Sequence, residues 1–359
     1  MFHHVPTGVG AHRRDLRLGR AELRAVMRQG AAWAVDRGFG GAGDLAHIEE
    51  GGCLDAADPD LVSDRAIERG STQLGTLGSG NHFAEIQYVA EIYDEKVAQA
   101  FGLYRDEVTV MIHSGSRGLG HQVCDDHLRT MIKAAAKYGI DLPDRQLCCA
   151  PIRSPEGQAY LGAMAAAANF AFANRQVINH WVRESFAAAL GMTPDRTGLE
   201  VVYDVCHNIA KFETFPIDGV SRRVCVHRKG ATRAYPPGHS ETPDAYRHVG
   251  QPVLIPGDMG RYSYVLVGTE RAFTQSFGST CHGAGRRMSR SEAKRTVRGR
   301  AVVDDLKTRG VHIMAAGMAT IAEEMPEAYK DVAEVVGVVD GAGLSMKVAQ
   351  LRPVGVIKG

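Results

Sequence analysis

One stretch of the sequence places a single imidazole among glycines and cations. Residues 279–290 read STCHGAGRRMSR, and the histidine is His282. Glycine lets backbone N–H groups approach an anion closely, and arginine binds phosphate through two parallel hydrogen bonds. A histidine in these surroundings could act as a nucleophile or an acid–base group on a phosphate. The alternative is a positively charged turn that leads into a helix and contains a chance histidine.

Three further histidines stand beside small polar residues at the ends of apolar runs. The runs are residues 83–89, 108–112 and 199–205, each of which predicts a strand, and the histidines beside them are His82, His113 and His207. Imidazole is a suitable ligand for manganese, iron, zinc or copper. A single histidine of this kind is more often a hydrogen-bonded core residue, but three in the same context favour a metal site.

The remaining pattern predicts one α/β domain over residues 1–359, with central sheets flanked by helices. Apolar periodicity predicts helices over residues 20–37, 122–138 and 156–190, and further strands over residues 224–230 and 263–267. The strand that ends at His113 runs through a Ser/Gly loop into a helix, an arrangement that binds anions. We therefore expect an active-site cleft where the strands end, since loops place chemistry there.

Composition excludes some classes of protein. The net charge of +1, from 42 basic and 41 acidic residues, gives no global attraction to nucleic acid, although residues 286–300 hold seven Lys or Arg against Glu292. Seven scattered cysteines make a poor disulfide framework and, with no signal peptide, favour a reducing cytoplasm. Since no apolar run reaches the length of a membrane span, we expect no membrane partner.

Taken together, the motifs resemble those of the RtcB-type RNA ligases, the tRNA-splicing ligases. The matching blocks, in the family's order, are GSGNHF at 78–83, HSGSRGLGH at 113–121, DVCHN at 204–208, RKGATR at 228–233, PGDMG at 256–260, CHGAGR at 281–286 and VIKG at 356–359. They extend over essentially the whole chain.

This resemblance implies a role for each matching residue. His282 would accept GMP from GTP, and His82, His113 and His207 would hold Mn²⁺, two ions in the family's intact site. The guanine nucleotide would contact His82, His207 and His282. It would also contact a further set of residues: Asn81, Glu85, Asn208, Pro256, Gly257, Asp258, Met259, Ser263, Gly283, Ala284, Gly285 and Lys358. Phosphates of the nucleotide or RNA would bind Arg117, Lys229, Arg286 and Arg290. The partners implied are tRNA halves or broken RNA ends, and an archease-like activating protein.

One departure from the family pattern is serious. The family has an Asp-x-Gly-Cys-Gly block whose Asp and Cys complete the two-metal site, and this sequence contains none. We therefore expect an N-terminally truncated chain, weak manganese binding and little ligation. Two alternatives stay open: a metal-dependent phosphoesterase acting on terminal or cyclic phosphates, and an inactive remnant that binds RNA or nucleotide.

Overall fold

The computed structural model describes residues 1–13 and 15–359. Its α-helices are α1 (Arg20–Gln29), α2 (Ala31–Asp36), α3 (Ala42–Leu45), α4 (Asp64–Gly70), α5 (Glu95–Ala100), α6 (Arg117–Lys137), α7 (Pro155–Leu190), α8 (Glu270–Gln275), α9 (Arg290–Thr296), α10 (Gly299–Thr308), α11 (Met318–Glu323) and α12 (Val332–Gly341). Its strands are β1 (Phe83–Ile92), β2 (Val108–His113), β3 (Asn208–Ile217), β4 (Val220–Lys229), β5 (Ala231–Arg233), β6 (Pro252–Ile255), β7 (Ser263–Gly268), β8 (Ser279–Cys281), β9 (His312–Ala315) and β10 (Ser345–Lys358).

A six-stranded sheet forms the centre of the fold. Its order is β2-β1-β10-β7-β6, with β9 paired to β10. All of these pairs are antiparallel except β9 with β10. The strands β3 and β4 form a separate hairpin, and the short strands β5 and β8 form a third pair. The result is the mixed α/β fold, with helices flanking a central sheet, that the sequence predicts.

Helix α7 is the longest element, at 36 residues, or about 54 Å at the usual rise per residue. Ser154 caps its first turn by accepting a hydrogen bond from the Gly157 N–H group. Gly191, in the left-handed conformation, caps its C-terminal end. The first part packs through alanines against α1, α2 and α6. The later part belongs to the apolar cluster that includes residues of β1 and β10, so one helix spans from the helical layer to the sheet.

The long helix 156–190 and the strands over residues 83–89, 108–112, 224–230 and 263–267 are confirmed, with small changes of boundary. The helix expected over residues 20–37 is divided at Gly30, where φ is +57°. A Cβ atom at this position would lie 2.0 Å from the carbonyl oxygen of Gly52. The close approach of another backbone segment therefore requires glycine here and ends α1.

The prediction of a strand over residues 199–205 is wrong. In this segment, all of which the structure describes, Asp204 alone forms a bridge, to Ile48. The apolar residues of this segment are partly buried, but they pack outside a sheet. As a consequence His207 precedes β3 and does not follow a strand.

The hairpin of β3 and β4 is anchored by buried charges. Arg228 binds both carboxylate oxygens of Glu213 at 2.7 Å, with side-chain exposures of 1% and 2%. Nearby, Glu49 accepts from the Lys211 ammonium group at 2.7 Å and from the Cys206 N–H group at 2.8 Å. Burial raises the pKa of the Glu49 carboxyl, but the neighbouring cations outweigh this and hold it at about 2.

Among the described residues, no helix is both long enough and apolar enough to cross a membrane.

Replacing Arg228 with Met should destabilise the fold by about 3–5 kcal/mol, because the substitution leaves Glu213 as a buried charge without its main partner. The double variant Glu213→Leu/Arg228→Met removes both charges and should recover a large part of that loss. Urea unfolding of both variants measures the difference. A double variant that is less stable than Arg228→Met alone would contradict this account.

Candidate active site

Four imidazoles lie in a row within the cleft. The ring centroids of His82 and His113 are 5.7 Å apart, those of His113 and His207 are 5.0 Å apart, and those of His207 and His282 are 4.9 Å apart. The cleft has a volume of about 1070 Å³, and its walls include three of these rings. Tertiary structure thus brings together four histidines that are spread over 200 positions of the sequence (82 to 282).

The sheet register places the first two histidines side by side. Strands β1 and β2 are antiparallel, and Phe83 lies opposite His113. His82 immediately precedes Phe83, so its ring lies next to the end of β2. The Phe83 ring contacts His113 edge-on, with centroids 5.5 Å apart, and forms an apolar wall behind the pair.

The other two histidines meet through two strand pairs. In the β3–β4 hairpin, Asn208 lies opposite Lys229. In the β5–β8 pair, Ala231 lies opposite Cys281. His207, just before β3, and His282, just after β8, are therefore brought close together. Gly230, between β4 and β5, lies against the His282 ring.

Burial keeps these imidazoles neutral. It lowers the pKa of His82 to about 4, with Arg117 adding to the effect, and the pKa of His207 to about 3, with His282 adding to the effect. The pKa of His113 lies well below its ordinary value for the same reason. Burial and Lys229 also lower the pKa of His282, against a backbone hydrogen bond to Gly230 that raises it. At neutral pH each ring therefore has a free nitrogen lone pair for a metal ion or a phosphorus atom.

The pair His113 and His207 fits a metal ion. Their Nε2 atoms face each other at 3.3 Å. Two imidazole nitrogens bound to one ion at about 2.0–2.1 Å, with a tetrahedral angle between them, are separated by about this distance. Among all residues except the undescribed Arg14, however, no three His, Cys, Asp or Glu side chains are grouped closely enough to hold an ion. The structure thus provides two converging ligands, with His82 beside them.

Arg117 lies at the outer side of His82. Its Nη1 atom is 3.5 Å from His82 Nδ1, and its Nε–H group donates to Thr76 Oγ1 at 3.1 Å. Burial lowers the pKa of this guanidinium to about 10, a value at which it is still charged at neutral pH. A half-buried guanidinium whose partners here are neutral groups is suited to binding phosphate.

Two segments expected at the nucleotide, around Pro256 and around Ala284, form a wall next to His282. The N–H group of Ala284 donates to the Pro256 carbonyl oxygen at 3.2 Å, and the Gly257 N–H group donates to Ser263 Oγ at 3.4 Å. A Cβ atom on Gly257 would lie 1.9 Å from a neighbouring carbonyl oxygen. The turn after β6 and the turn after β8 are therefore in direct contact, which the sequence motifs alone do not reveal.

A buried carboxyl and a buried ammonium group stand beside that wall. Glu85 is 3% exposed and Lys358 is 4% exposed. Burial raises the pKa of Glu85 to about 8, even though Gln87 donates a hydrogen bond to it. Burial likewise lowers the pKa of Lys358. Perturbed buried groups of this kind are typical of functional sites.

Sequence reasoning missed Glu324, whose side chain is fully buried. One of its carboxylate oxygens lies 3.1 Å from Arg286 and 3.4 Å from Arg290, and the other lies 3.5 Å from Lys358. Tyr329 donates a further hydrogen bond to it. Burial raises its pKa, but these neighbours outweigh burial and lower it. No local motif marks this glutamate, since only its tertiary partners distinguish it from other acidic residues.

The cations predicted to bind phosphate therefore differ in their surroundings. Arg286 is tied to Glu324 and to the carbonyl oxygens of Glu323 and Met288. Lys229 is exposed near the histidines. The buried Glu324 carboxylate faces three cations, Arg286, Arg290 and Lys358, which leaves a local excess of positive charge.

These features define a mixed α/β protein in which neutral imidazoles lie close to fixed cations, an arrangement whose charge suits anionic ligands. A family model described as "tRNA-splicing ligase RtcB" matches residues 1–359. Proteins named tRNA-splicing ligase RtcB from Archaeoglobus fulgidus, Thermococcus kodakarensis and Pyrococcus furiosus are 58%, 54% and 56% identical to the chain over its whole length. The chain spans 74%, 74% and 37% of these proteins, respectively.

The chain therefore belongs to the RtcB family of tRNA-splicing ligases, and by family it is an RNA ligase. The resemblance inferred from the sequence motifs is confirmed.

Glu85→Gln should stabilise the protein increasingly as the pH rises. The folded pKa of about 8 exceeds the ordinary value of 4.5, so between these values the unfolded chain binds fewer protons and stability falls with pH. Glutamine resembles the protonated acid and removes this fall. Melting temperatures at about pH 5 and about pH 8 should show a gain that is larger at the higher pH.

Glu91→Gln is the matched control for this measurement, because Glu91 lies on the same strand but is exposed. It should change the melting temperature little at either pH. A gain for Glu85→Gln that did not depend on pH would show that Glu85 is ionised in the folded protein.

Proposed function

We propose that this chain acts as a GTP- and Mn²⁺-dependent ligase that joins an RNA 3′-phosphate or 2′,3′-cyclic phosphate end to a 5′-hydroxyl end, in tRNA splicing or RNA repair. The proposal takes residues 1–359 as one ligase domain. The observation that carries it is the position of His282, a neutral imidazole whose ring stands 4.9 Å from that of His207 at the end of a row of half-buried histidines.

In the first step, a ring nitrogen of His282 attacks the α-phosphorus of GTP. An N–P bond forms, the bond to the β-phosphate oxygen breaks, and pyrophosphate leaves. A nucleophilic imidazole must be unprotonated, which its lowered pKa favours. The backbone hydrogen bond to Gly230 holds the ring in one orientation. Lys229 lies close enough to affect the ring and is available to neutralise a phosphate.

In the second step, an oxygen of the RNA 3′-phosphate attacks the phosphorus bound to His282 and takes the guanylate from the imidazole. The RNA 5′-hydroxyl group then attacks the activated 3′-phosphate, a phosphodiester bond forms, and GMP leaves. A cyclic phosphate end must first be opened by water to the 3′-phosphate.

His113 and His207 would hold Mn²⁺, with His82 turning toward the same ion. A bound Mn²⁺ ion would act as a Lewis acid that neutralises charge developing on phosphate oxygens. Fixed cations of the chain would add to this stabilisation: Arg117 on the side of His82, and Arg290 on the side of Glu324.

Buried groups on the other wall would select the nucleotide. Glu85 and Lys358 are both desolvated. A ligand that hydrogen-bonds with them would therefore offset the free-energy cost of burying these two groups, a cost that the fold alone does not offset. The turn 256–259 and the glycines after His282 have backbone groups close to this wall. These features support guanine nucleotide binding beside the nucleophile.

Two further predictions accompany the proposal. The activating partner is expected to be an archease-like protein, and the protein is expected to work in the cytoplasm.

His282→Ala should abolish covalent labelling of the protein by GTP carrying a radioactive α-phosphate in the presence of Mn²⁺. The unmodified chain should acquire label that acid releases, since a phosphoramidate bond is unstable to acid. His248→Ala is the control, because His248 is exposed and lies outside the row of histidines, and it should label normally. Gel autoradiography measures each reaction.

Label that persists in His282→Ala would reject His282 as the nucleophile. An unmodified chain that takes no label but releases phosphate from RNA ends would favour a phosphoesterase. A chain that takes no label and leaves RNA ends unchanged would be a binding protein only.

A further inference from the structure

Two neighbouring polar residues in the middle of α7 contact the loops that carry the histidines. Asn174 is completely buried. Its Oδ1 atom accepts from the N–H groups of Gly75 and Thr76 at 2.8 and 3.2 Å. Its Nδ2 group donates to the Thr76 carbonyl oxygen, to Ser114 Oγ and to the Gly115 carbonyl oxygen at 3.1–3.2 Å. One amide therefore connects the loop before His82 with the loop after His113.

Arg175 connects a third segment to the same place. Its Nε–H group donates to both carboxylate oxygens of Asp204, at 2.7 and 2.9 Å, and its Nη1 group donates to the Ser114 carbonyl oxygen at 3.2 Å. Asp204 lies three residues before His207. Residues 199–205 are not held in a sheet, so this ion pair is one attachment of the chain that leads to His207, beside the backbone bridge between Asp204 and Ile48 and the Cys206–Glu49 hydrogen bond.

The contacts continue from these residues to the rings themselves. Ser114 Oγ donates to the Leu77 carbonyl oxygen at 2.7 Å, and His82 makes a backbone hydrogen bond with Leu77. His113 directly precedes Ser114. Leu77, Ser114 and Asn174 are buried and the histidines are half-buried, so losing the inner contacts leaves polar groups that water cannot easily reach.

We propose that Asn174 and Arg175 are positioning residues, which set the relative positions of the loops carrying His82, His113 and His207 and so bring the imidazoles into register. The long helix acts as a rigid support, since two adjacent residues on it reach three loops that are distant in sequence. Residues that orient metal ligands commonly affect metal affinity by about 10- to 100-fold. The metal-binding part of this inference rests on the proposed function.

The helix itself supplies matched controls. Asn169 is also completely buried and also bonds backbone groups, namely those of Leu54 and Met27. Arg183, like Arg175, binds a carboxylate and a carbonyl oxygen, those of Asp44 and Leu199. Its side-chain exposure is 14%, against 12% for Arg175. The controls match in chemistry and burial, but Asn169 bonds residues away from the histidine loops, and Arg183 reaches only Leu199, eight residues before His207, and Asp44.

The experiment compares Asn174→Ala with Asn169→Ala and Arg175→Lys with Arg183→Lys in the full chain. Lysine keeps the charge but cannot bond a carboxylate and a carbonyl oxygen as the guanidinium fork does. Mn²⁺ binding, measured from the electron paramagnetic resonance signal of free Mn²⁺, should weaken by at least about 10-fold in the Asn174 and Arg175 variants. The matched controls should bind as the unmodified chain does, although their melting temperatures fall by a similar amount. Equal affinity within either matched pair would overturn the proposal.

A second measurement does not depend on metal. Long-range ¹H–¹⁵N spectra of the histidine rings should show shifted signals for His82, His113 and His207 in Asn174→Ala and Arg175→Lys, and unchanged signals in the controls. If the unmodified chain binds no Mn²⁺, the metal site of the proposed function fails, and these spectra alone decide the positioning role. Unchanged ring signals in the Asn174 and Arg175 variants would reject it.

Discussion

The high free-energy cost of burying charged and polar groups without partners is the constraint on which this structure depends. Glu49 shows how the fold meets it: the carboxylate lies among Lys211, Arg233 and the Cys206 N–H group, with 2% of its side chain exposed. Breaking such a cluster leaves a desolvated charge, whereas the intact cluster ties β3 and β5 to the segment that contains Glu49. His207 immediately follows Cys206, so this structural cluster also helps to fix one inner member of the row of imidazoles.

Around the row of histidines the same constraint has the opposite outcome, because several charged or titratable groups there lack a full set of partners. Glu85 is buried without a full counter-charge, and its pKa rises to about 8. The imidazoles are desolvated and remain neutral. Glu324 is surrounded by more cations than one carboxylate can balance. A fold optimised for stability alone would not keep these groups, and perturbed charged groups that lie close together are typical of functional sites.

Helix α7 connects the two parts of the structure. Most of its buried residues are apolar and pack it against other helices and the sheet. Asn174 and Arg175 interrupt this pattern and use their polar groups to hold loops. Their role could not be read from the sequence, because an asparagine and an arginine within a long helix look the same whether they face water or a buried loop. The matched residues Asn169 and Arg183 on the same helix illustrate the point.

The sequence by itself determined the family, the nucleophile candidate His282 and most of the strands and helices, because glycine turns, apolar runs and histidine motifs are local signals. Local signals failed over residues 199–205, where partial burial outside a sheet gives the same apolar run as a strand. Only the tertiary structure decided that Glu324 faces Arg286 and Lys358, and that two Nε2 atoms meet at 3.3 Å. Such contacts depend on strand register and helix packing between distant segments, which no single stretch of sequence encodes.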